Sequence, residues 1–104
     1  MSNRVSVIGG SGFIGRNLLR ELSAANQVMN LDKTDYKGAQ TVVCDIRDKE
    51  ALRSKLPDSD WVVLLAAEHK GNVNPVSLYY DVNVDGTANV LDVLREKDIR
   101  KIIF

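Results

Sequence analysis

The segment Val5-Ser6-Val7-Ile8-Gly9-Gly10-Ser11-Gly12-Phe13-Ile14-Gly15 joins a short apolar strand to a glycine-rich turn, and a helical apolar pattern follows at once. Gly9, Gly12 and Gly15 have the spacing G-x-x-G-x-x-G, a close variant of the dinucleotide-binding pattern G-x-G-x-x-G. A tight turn favours glycine, and a diphosphate can approach the backbone closely only where no Cβ intervenes. The first N–H groups of the helix are then free to bind an anion. We therefore predict a strand, a diphosphate-binding turn and a helix.

An acidic residue at the end of the second predicted strand supports this interpretation. Residues 27–31 are predicted to form a strand that ends in Asp32. Because the second strand of a βαβ unit lies beside the first, its carboxylate is expected over the same crevice, where it can accept both hydroxyls of an adenosine ribose. Asp32 would also repel a 2′-phosphate, so the prediction is NAD rather than NADP. The nearby Lys33 and Lys37 could tolerate NADP, so binding of NADP stays open. The alternative interpretation of Asp32 is a solvated aspartate in a turn.

The composition excludes several classes of function. The 104 residues include 14 basic and 14 acidic side chains, and the formal net charge is zero. No basic face is evident, so we expect neither a nucleic-acid partner nor a membrane surface. The longest apolar run, residues 61–67, is far too short to span a bilayer.

The single cysteine and the single histidine also limit the chemistry. Cys44 has no partner for an intramolecular disulfide, and its apolar strand predicts a buried, inert thiol in a reducing cytoplasm. His69 is the only histidine, which excludes a histidine-rich metal site, and its polar loop favours a solvated side chain over a catalytic one. No metal ligands are therefore predicted.

The remaining pattern predicts one α/β domain. Strands are predicted at residues 41–44, 61–67 and 100–104, and helices at residues 49–56, after an Asp48 cap, and from residue 75 to about Glu96. The order β-α-β-β-α-β-α-β predicts a doubly wound parallel sheet, a Rossmann fold with strand order 3-2-1-4-5, over residues 1–104. Because the last predicted strand has no turn or cap after it, we expect an N-terminal part of a longer chain, truncated after the fifth strand.

Taken together, the motifs resemble one known family. The residues that carry the resemblance are Gly9-Gly10-Ser11-Gly12-Phe13-Ile14-Gly15, Asp32, Asp45-Ile46, Leu65-Ala66-Ala67 and Asn83-Val84-Asp85-Gly86-Thr87-Ala88-Asn89. They are similar to the NAD-dependent epimerases and dehydratases of the extended short-chain dehydrogenase/reductase family, which includes the UDP-glucose 4-epimerases. The resemblance covers essentially the whole chain.

The resemblance implies a role for particular residues. The backbone N–H groups of Phe13 and Ile14 would bind the diphosphate, Asp45 and Ile46 would frame the adenine, Ala66 and Ala67 would line the cofactor towards the nicotinamide, and Asn83 would lie near the cofactor. For Asn83, hydrogen bonding between helix and loop is the alternative. The implied cofactor is NAD.

The family's catalytic pattern does not occur in these residues. The resemblance implies a Tyr-x-x-x-Lys pair, but Tyr36, Tyr79 and Tyr80 are followed four positions later by Gln40, Asn83 and Val84. We therefore assign no catalytic residue and expect these 104 residues alone to be inactive, with the pair downstream of Phe104.

The function implied for the full-length protein is a cytoplasmic epimerase or dehydratase of nucleotide-sugars that acts by transient hydride transfer. The resemblance also implies a homodimer, formed through the helix at residues 75–96. Two alternatives remain open at this point: a non-catalytic module that senses NAD(P), and an NADP-dependent reductase of the same family.

Overall fold

The strands form one parallel sheet. The computed structural model describes residues 3–66 and 81–104, so the predictions for Ala67, His69, Tyr79 and Tyr80 lie outside the described residues. The strands are β1 (Arg4–Ile8), β2 (Gln27–Asp32), β3 (Thr41–Val43), β4 (Trp61–Leu64) and β5 (Ile102–Ile103). All pairings are parallel and the order is β3-β2-β1-β4-β5. The predicted strand order is confirmed.

The helices of the described ranges follow the predicted apolar pattern. They are α1 (Phe13–Ser23), α2 (Lys49–Lys55) and α3 (Thr87–Glu96), and a π-helical segment, Asp81–Gly86, leads into α3. Asp48 caps α2 as predicted, because its carboxylate accepts a hydrogen bond of 3.0 Å from the N–H of Ala51. The predicted start of the last helix, at residue 75, lies outside the described residues.

The third strand and the second helix each end one residue earlier than predicted, at Val43 and Lys55.

The fourth strand ends at Leu64 rather than at Ala67. The N–H groups of Leu65 and Ala66 both donate to the carbonyl of Ile8, at 2.8 and 3.0 Å, and this sharing ends the regular ladder. The prediction that residues 100–104 form a buried strand is wrong in extent, because only Ile102 and Ile103 pair with β4. Ile103 is half exposed, since β5 has one neighbouring strand in the described sheet.

Both faces of the sheet are covered, which explains the continuous apolar runs in β1 and β4. Along β4, Val62 and Leu64 point to the side of α2 and α3, and Val63 points to the side of α1. The first side contains the larger core, which includes Leu31, Leu52, Val62, Val90 and Val93; the second contains Val5, Val7, Leu19 and Val63.

The pairing register aligns the carboxyl ends of three strands. Ile8 lies opposite Leu31 in β2 and opposite Leu64 in β4. The loops that follow β1, β2 and β4 therefore emerge at one edge of the sheet, where ligands bind in open doubly wound sheets.

Candidate dinucleotide-binding site

A crevice of about 340 Å³ lies at this edge of the sheet. Its lining residues are Ile8, Gly9, Ser11, Gly12, Leu31, Asp32, Lys33, Thr34, Cys44, Asp45, Ile46, Leu65 and Ala66. The crevice thus brings together six of the predicted site residues, namely Gly9, Gly12, Asp32, Asp45, Ile46 and Ala66.

The glycine turn is held tightly against the sheet. Gly9 has a φ of +91°, its N–H donates to the carbonyl of Leu31 at 2.7 Å, and a Cβ there would overlap the backbone of Ala66. Gly15 packs α1 onto the turn, because its Cβ would stand 2.5 Å from the Cα of Gly10. A Cβ on Gly12, by contrast, would meet no protein atom within 4 Å. The absence of a side chain at Gly12 therefore keeps the crevice open and serves no packing contact.

The first turn of α1 presents free backbone donors beside the crevice. Gly12 is the N-cap residue and has no side chain to cap the helix; the first backbone bond runs from the N–H of Arg16 to the carbonyl of Gly12, at 2.9 Å. The N–H groups of Phe13, Ile14 and Gly15 therefore have no acceptor within the helix. The first turn also contains no acidic residue, so the positive end of the helix dipole is not neutralised there. Such a helix start can bind an anion such as a diphosphate.

Asp32 lies half buried at the end of β2. One of its carboxylate oxygens faces the glycine turn and the other faces the loop after β2. Oδ2 accepts from the N–H of Ser11 at 3.0 Å, and Oδ1 accepts from the N–H of Thr34 at 3.0 Å. A carboxylate has about four acceptor positions, so Asp32 can still accept hydroxyl groups of a ligand.

Sequence reasoning missed Asn30, which lies on the same side of β2 as Asp32. Asn30 is fully buried, and its Oδ1 accepts from the N–H of Gly10 at 2.9 Å. The signal that could have found it is the spacing of two residues from Asp32, because residues i and i+2 of a strand share one face.

The loop after β3 forms the far side of the crevice. The guanidinium of Arg47, and also its backbone N–H, donate to the carboxylate of Asp45, and these bonds lower the pKa of Asp45 from its ordinary value. The side-chain amide of Asn89, on α3, donates to the carbonyl of Ile46 at 3.0 Å. Asn89 is a second residue that sequence reasoning did not include in the site, and it ties this loop to α3.

Cys44 is buried as predicted, and burial raises the pKa of its thiol. The neutral thiol is therefore favoured, in keeping with a packing role. Within residues 3–66 and 81–104, no group of three or more His, Cys, Asp or Glu side chains could hold a metal ion. None of the helices described is long and apolar enough to cross a membrane.

Other predicted site residues stand at the border of the crevice or away from it. Phe13, Ile14 and Gly15 begin α1 next to the lining residues, and the side chains of Phe13 and Ile14 are exposed. Asn83 lies half buried in the π-helical segment and is not a lining residue. Ala67 lies outside the described residues.

The fold and the strand order define the class of this protein as a Rossmann-type, doubly wound α/β protein. The model of the NAD dependent epimerase/dehydratase family matches residues 5–104. The chain belongs to this family, whose cofactor is NAD.

Curated relatives and solved structures agree with this membership. The chain is 46% identical over 106 residues to N-acetyl-alpha-D-glucosaminyl-diphospho-ditrans,octacis-undecaprenol 4-epimerase of Escherichia coli O157:H7, covering 100% of the chain and 32% of that protein. It is 33% identical to L-arabinose 1-dehydrogenase (NAD(P)(+)) of Haloferax volcanii, covering 97% of the chain and 39% of that protein.

Among solved structures, UDP-glucose 4-epimerase of Thermus thermophilus in complex with NAD superimposes with a TM-score of 0.86 at 31% identity. The match covers 97% of this chain and 36% of that structure. The chain therefore spans about a third of the length of the relatives it matches.

Proposed function

We propose that this chain binds NAD in the crevice at the carboxyl edge of its sheet, as the cofactor-binding domain of an epimerase or dehydratase of nucleotide-sugars. The observation that carries the proposal is the convergence of two complementary groups on one crevice. The uncapped start of α1 offers N–H donors for a diphosphate, and the carboxylate of Asp32 offers acceptors for a ribose.

Each part of the cofactor has a proposed partner. The N–H groups of Phe13 and Ile14 bind the diphosphate over the space that Gly12 leaves, while Gly9 and Gly15 hold the turn against the sheet and α1. Asp32 binds the adenosine ribose, and Asp45 and Ile46 frame the adenine. Ala66, Ala67 and Asn83 are proposed to lie on the nicotinamide side. Bound NAD supplies an acceptor for a hydride from the sugar, while the residues of this chain bind and orient the cofactor.

The substrate class rests on the relatives. Their names include a UDP-glucose 4-epimerase and an epimerase of a sugar joined to undecaprenol through a diphosphate. Both substrates present a sugar linked to a diphosphate. We propose that the full-length protein acts on a sugar linked to a diphosphate, and that a nucleotide is the carrier of this sugar. The 104 residues by themselves are expected to bind the cofactor without turnover, because no tyrosine among them is followed four positions later by lysine.

The experiment that tests the proposal is a calorimetric titration of NAD and NADP into the protein and into Asp32→Ala. Asp32→Ala removes charged acceptors worth about 1.5–3 kcal/mol per hydrogen bond, so we expect NAD affinity to fall about tenfold to a hundredfold. NADP affinity should fall less or rise, because the repulsion of its 2′-phosphate is removed.

Asp35→Ala is the matched control, since Asp35 is an exposed carboxylate of the same loop and does not line the crevice. It should leave NAD affinity within about twofold of the unmutated protein. No binding of NAD by the unmutated protein would refute the proposed function. If the unmutated protein bound NADP as tightly as NAD, or more tightly, the role of Asp32 would be refuted.

A further inference from the structure

Asn30 is a polar side chain in a position where a buried parallel strand normally has an aliphatic one. It is fully buried in β2, on the side of the sheet where Val28 packs, while its neighbours Met29 and Leu31 pack on the other side. Burying an amide costs free energy unless its donors and acceptor are all paired. Those of Asn30 are paired, and within the described part of the chain no buried side-chain nitrogen or oxygen lacks a partner.

The partners of Asn30 all belong to segments around the crevice. Its Oδ1 accepts from the N–H of Gly10 at 2.9 Å. Its Nδ2 donates to the hydroxyl of Ser11 and to the hydroxyl of Thr41, both at 3.1 Å. The hydroxyl of Ser11 donates in turn to the carbonyl of Thr34, at 2.6 Å. One amide group therefore joins the glycine turn, β3 and the loop after β2.

Asn30 and Asp32 together orient two consecutive N–H groups of the turn. Gly10 donates to Asn30 and Ser11 donates to Asp32, so both N–H groups point at β2. The N–H groups at the start of α1, which begins at Phe13, have no acceptor within the helix and remain available to a ligand. The direction of the turn's donors is thus decided by two side chains of the neighbouring strand.

Gly10 and Asn30 also fit each other sterically. A Cβ on Gly10 would overlap Oδ1 of Asn30, and the next atom it would meet is a terminal carbon of Leu19, 2.9 Å away. Glycine at position 10 therefore leaves room for the amide of Asn30. The dinucleotide-binding spacing of Gly9, Gly12 and Gly15 does not by itself require a glycine at position 10.

We propose that Asn30 is a positioning residue of the cofactor site, which holds the glycine turn in its binding geometry before the cofactor arrives. The inference rests on the proposed function, because it concerns NAD affinity. A turn that is already ordered loses less conformational freedom on binding, and affinity is higher for that reason.

The test is a titration of NAD into Asn30→Ser, Gly10→Ala and the double variant, each well below its own unfolding temperature. Ser6→Ala is the matched control: Ser6 is equally buried and its hydroxyl is hydrogen-bonded to that of Ser59 at 2.7 Å, but neither residue lines the crevice. We expect Asn30→Ser to weaken NAD binding about tenfold or more, and Ser6→Ala to change it less than about twofold, even where both lower the unfolding temperature.

The double variant separates positioning from a general loss of packing. If Gly10 is required because of Asn30, Gly10→Ala should weaken NAD binding strongly in the unmutated background and much less beside Asn30→Ser. Additive effects would overturn the inference, and so would Asn30→Ser with NAD affinity within about twofold of the unmutated protein. Should Asn30→Ser not fold, Gly10→Ala decides: a loss of affinity supports the inference and unchanged affinity overturns it. Absence of NAD binding in the unmutated protein would instead refute the proposed function.

Discussion

The glycines of the turn differ in what they serve. Gly9 adopts a φ of +91° and lies against the backbone of Ala66, and Gly15 lies against the backbone of Gly10. Both are required by the fold itself. Gly12 has ordinary extended angles, with φ −79° and ψ 179°, and any residue could adopt them. Its side-chain position faces open space, so glycine there is explained by the crevice.

Gly12→Val should therefore separate binding from folding. The fold should survive, because a Cβ at Gly12 meets no protein atom within 4 Å. NAD affinity should fall at least about tenfold, since the branched side chain occupies the approach of the diphosphate to the backbone. Circular dichroism measures the first effect and calorimetry the second.

Gly9→Ala is the contrasting variant. Its positive φ and its overlap with Ala66 predict a loss of stability of about 1–3 kcal/mol whether or not cofactor is present.

Retained NAD affinity in a folded Gly12→Val protein would show that the diphosphate does not lie at this turn.

At the level of elements, α2 and α3 are joined by charged side chains, and α3 is also joined to the loop after β3. Arg53 on α2 donates to both carboxylate oxygens of Glu96, at 2.7 and 2.9 Å, and Lys49 pairs with Asp92 at 2.9 Å. Asn89 lies on the same helix as Asp92 but reaches the carbonyl of Ile46. Position within α3 therefore decides whether a side chain supports the helix pair or the crevice.

Asn89→Asp should weaken binding of both NAD and AMP. The substitution keeps the shape of the side chain but places a carboxylate against the carbonyl of Ile46, so the loop that we propose frames the adenine is no longer held. A hydrogen bond of about 1 kcal/mol corresponds to a loss of about fivefold. Calorimetric titration with AMP isolates the adenosine end.

The control for this variant is Asp92→Asn, which removes the pair with Lys49 from the same helix and leaves the loop after β3 untouched. It should not change AMP affinity beyond about twofold. Equal losses in the two variants would mean that α3 acts through stability alone and that Asn89 has no particular role.

At the scale of the whole molecule, α3 and the π-helical segment before it expose apolar side chains. Leu91, in α3, is 37% exposed, and Val84, in the π-helical segment, is 57% exposed. Exposed apolar patches mark interaction surfaces. We propose that this surface forms the interface of a homodimer, as the resemblance to the family implies. The cytoplasmic location stays a prediction.

Leu91→Glu should weaken self-association at least about tenfold, because it buries a charge in an apolar interface. Light scattering and sedimentation over a range of protein concentrations measure the effect. Ser54→Glu adds the same charge at an exposed position of α2 and should leave association unchanged. A clean monomer of the unmutated protein would contradict the proposed interface.

Most of the sheet could be predicted from the sequence, since it depends on local patterns. Continuous apolar strands, the glycine turn and the Asp48 cap predicted the strand order, the presence of a helix at the glycine turn and the start of α2 correctly. The ends of strands were predicted less well. β4 stops at Leu64 because two N–H groups share the carbonyl of Ile8, and no local pattern shows that a carbonyl so distant in the chain is shared.

The sequence alone determined the family, the fold and the residues that line the crevice at Asp32 and Asp45, because those residues follow strands whose carboxyl ends must meet at one edge. Only the tertiary structure decided which donors of the turn remain free. That depends on Asn30 and Asp32 accepting from Gly10 and Ser11, and on Asn89 reaching Ile46 from another helix. The physical reason is that hydrogen bonds between distant segments depend on packing and register, whereas strand, turn and helix signals depend on neighbouring residues.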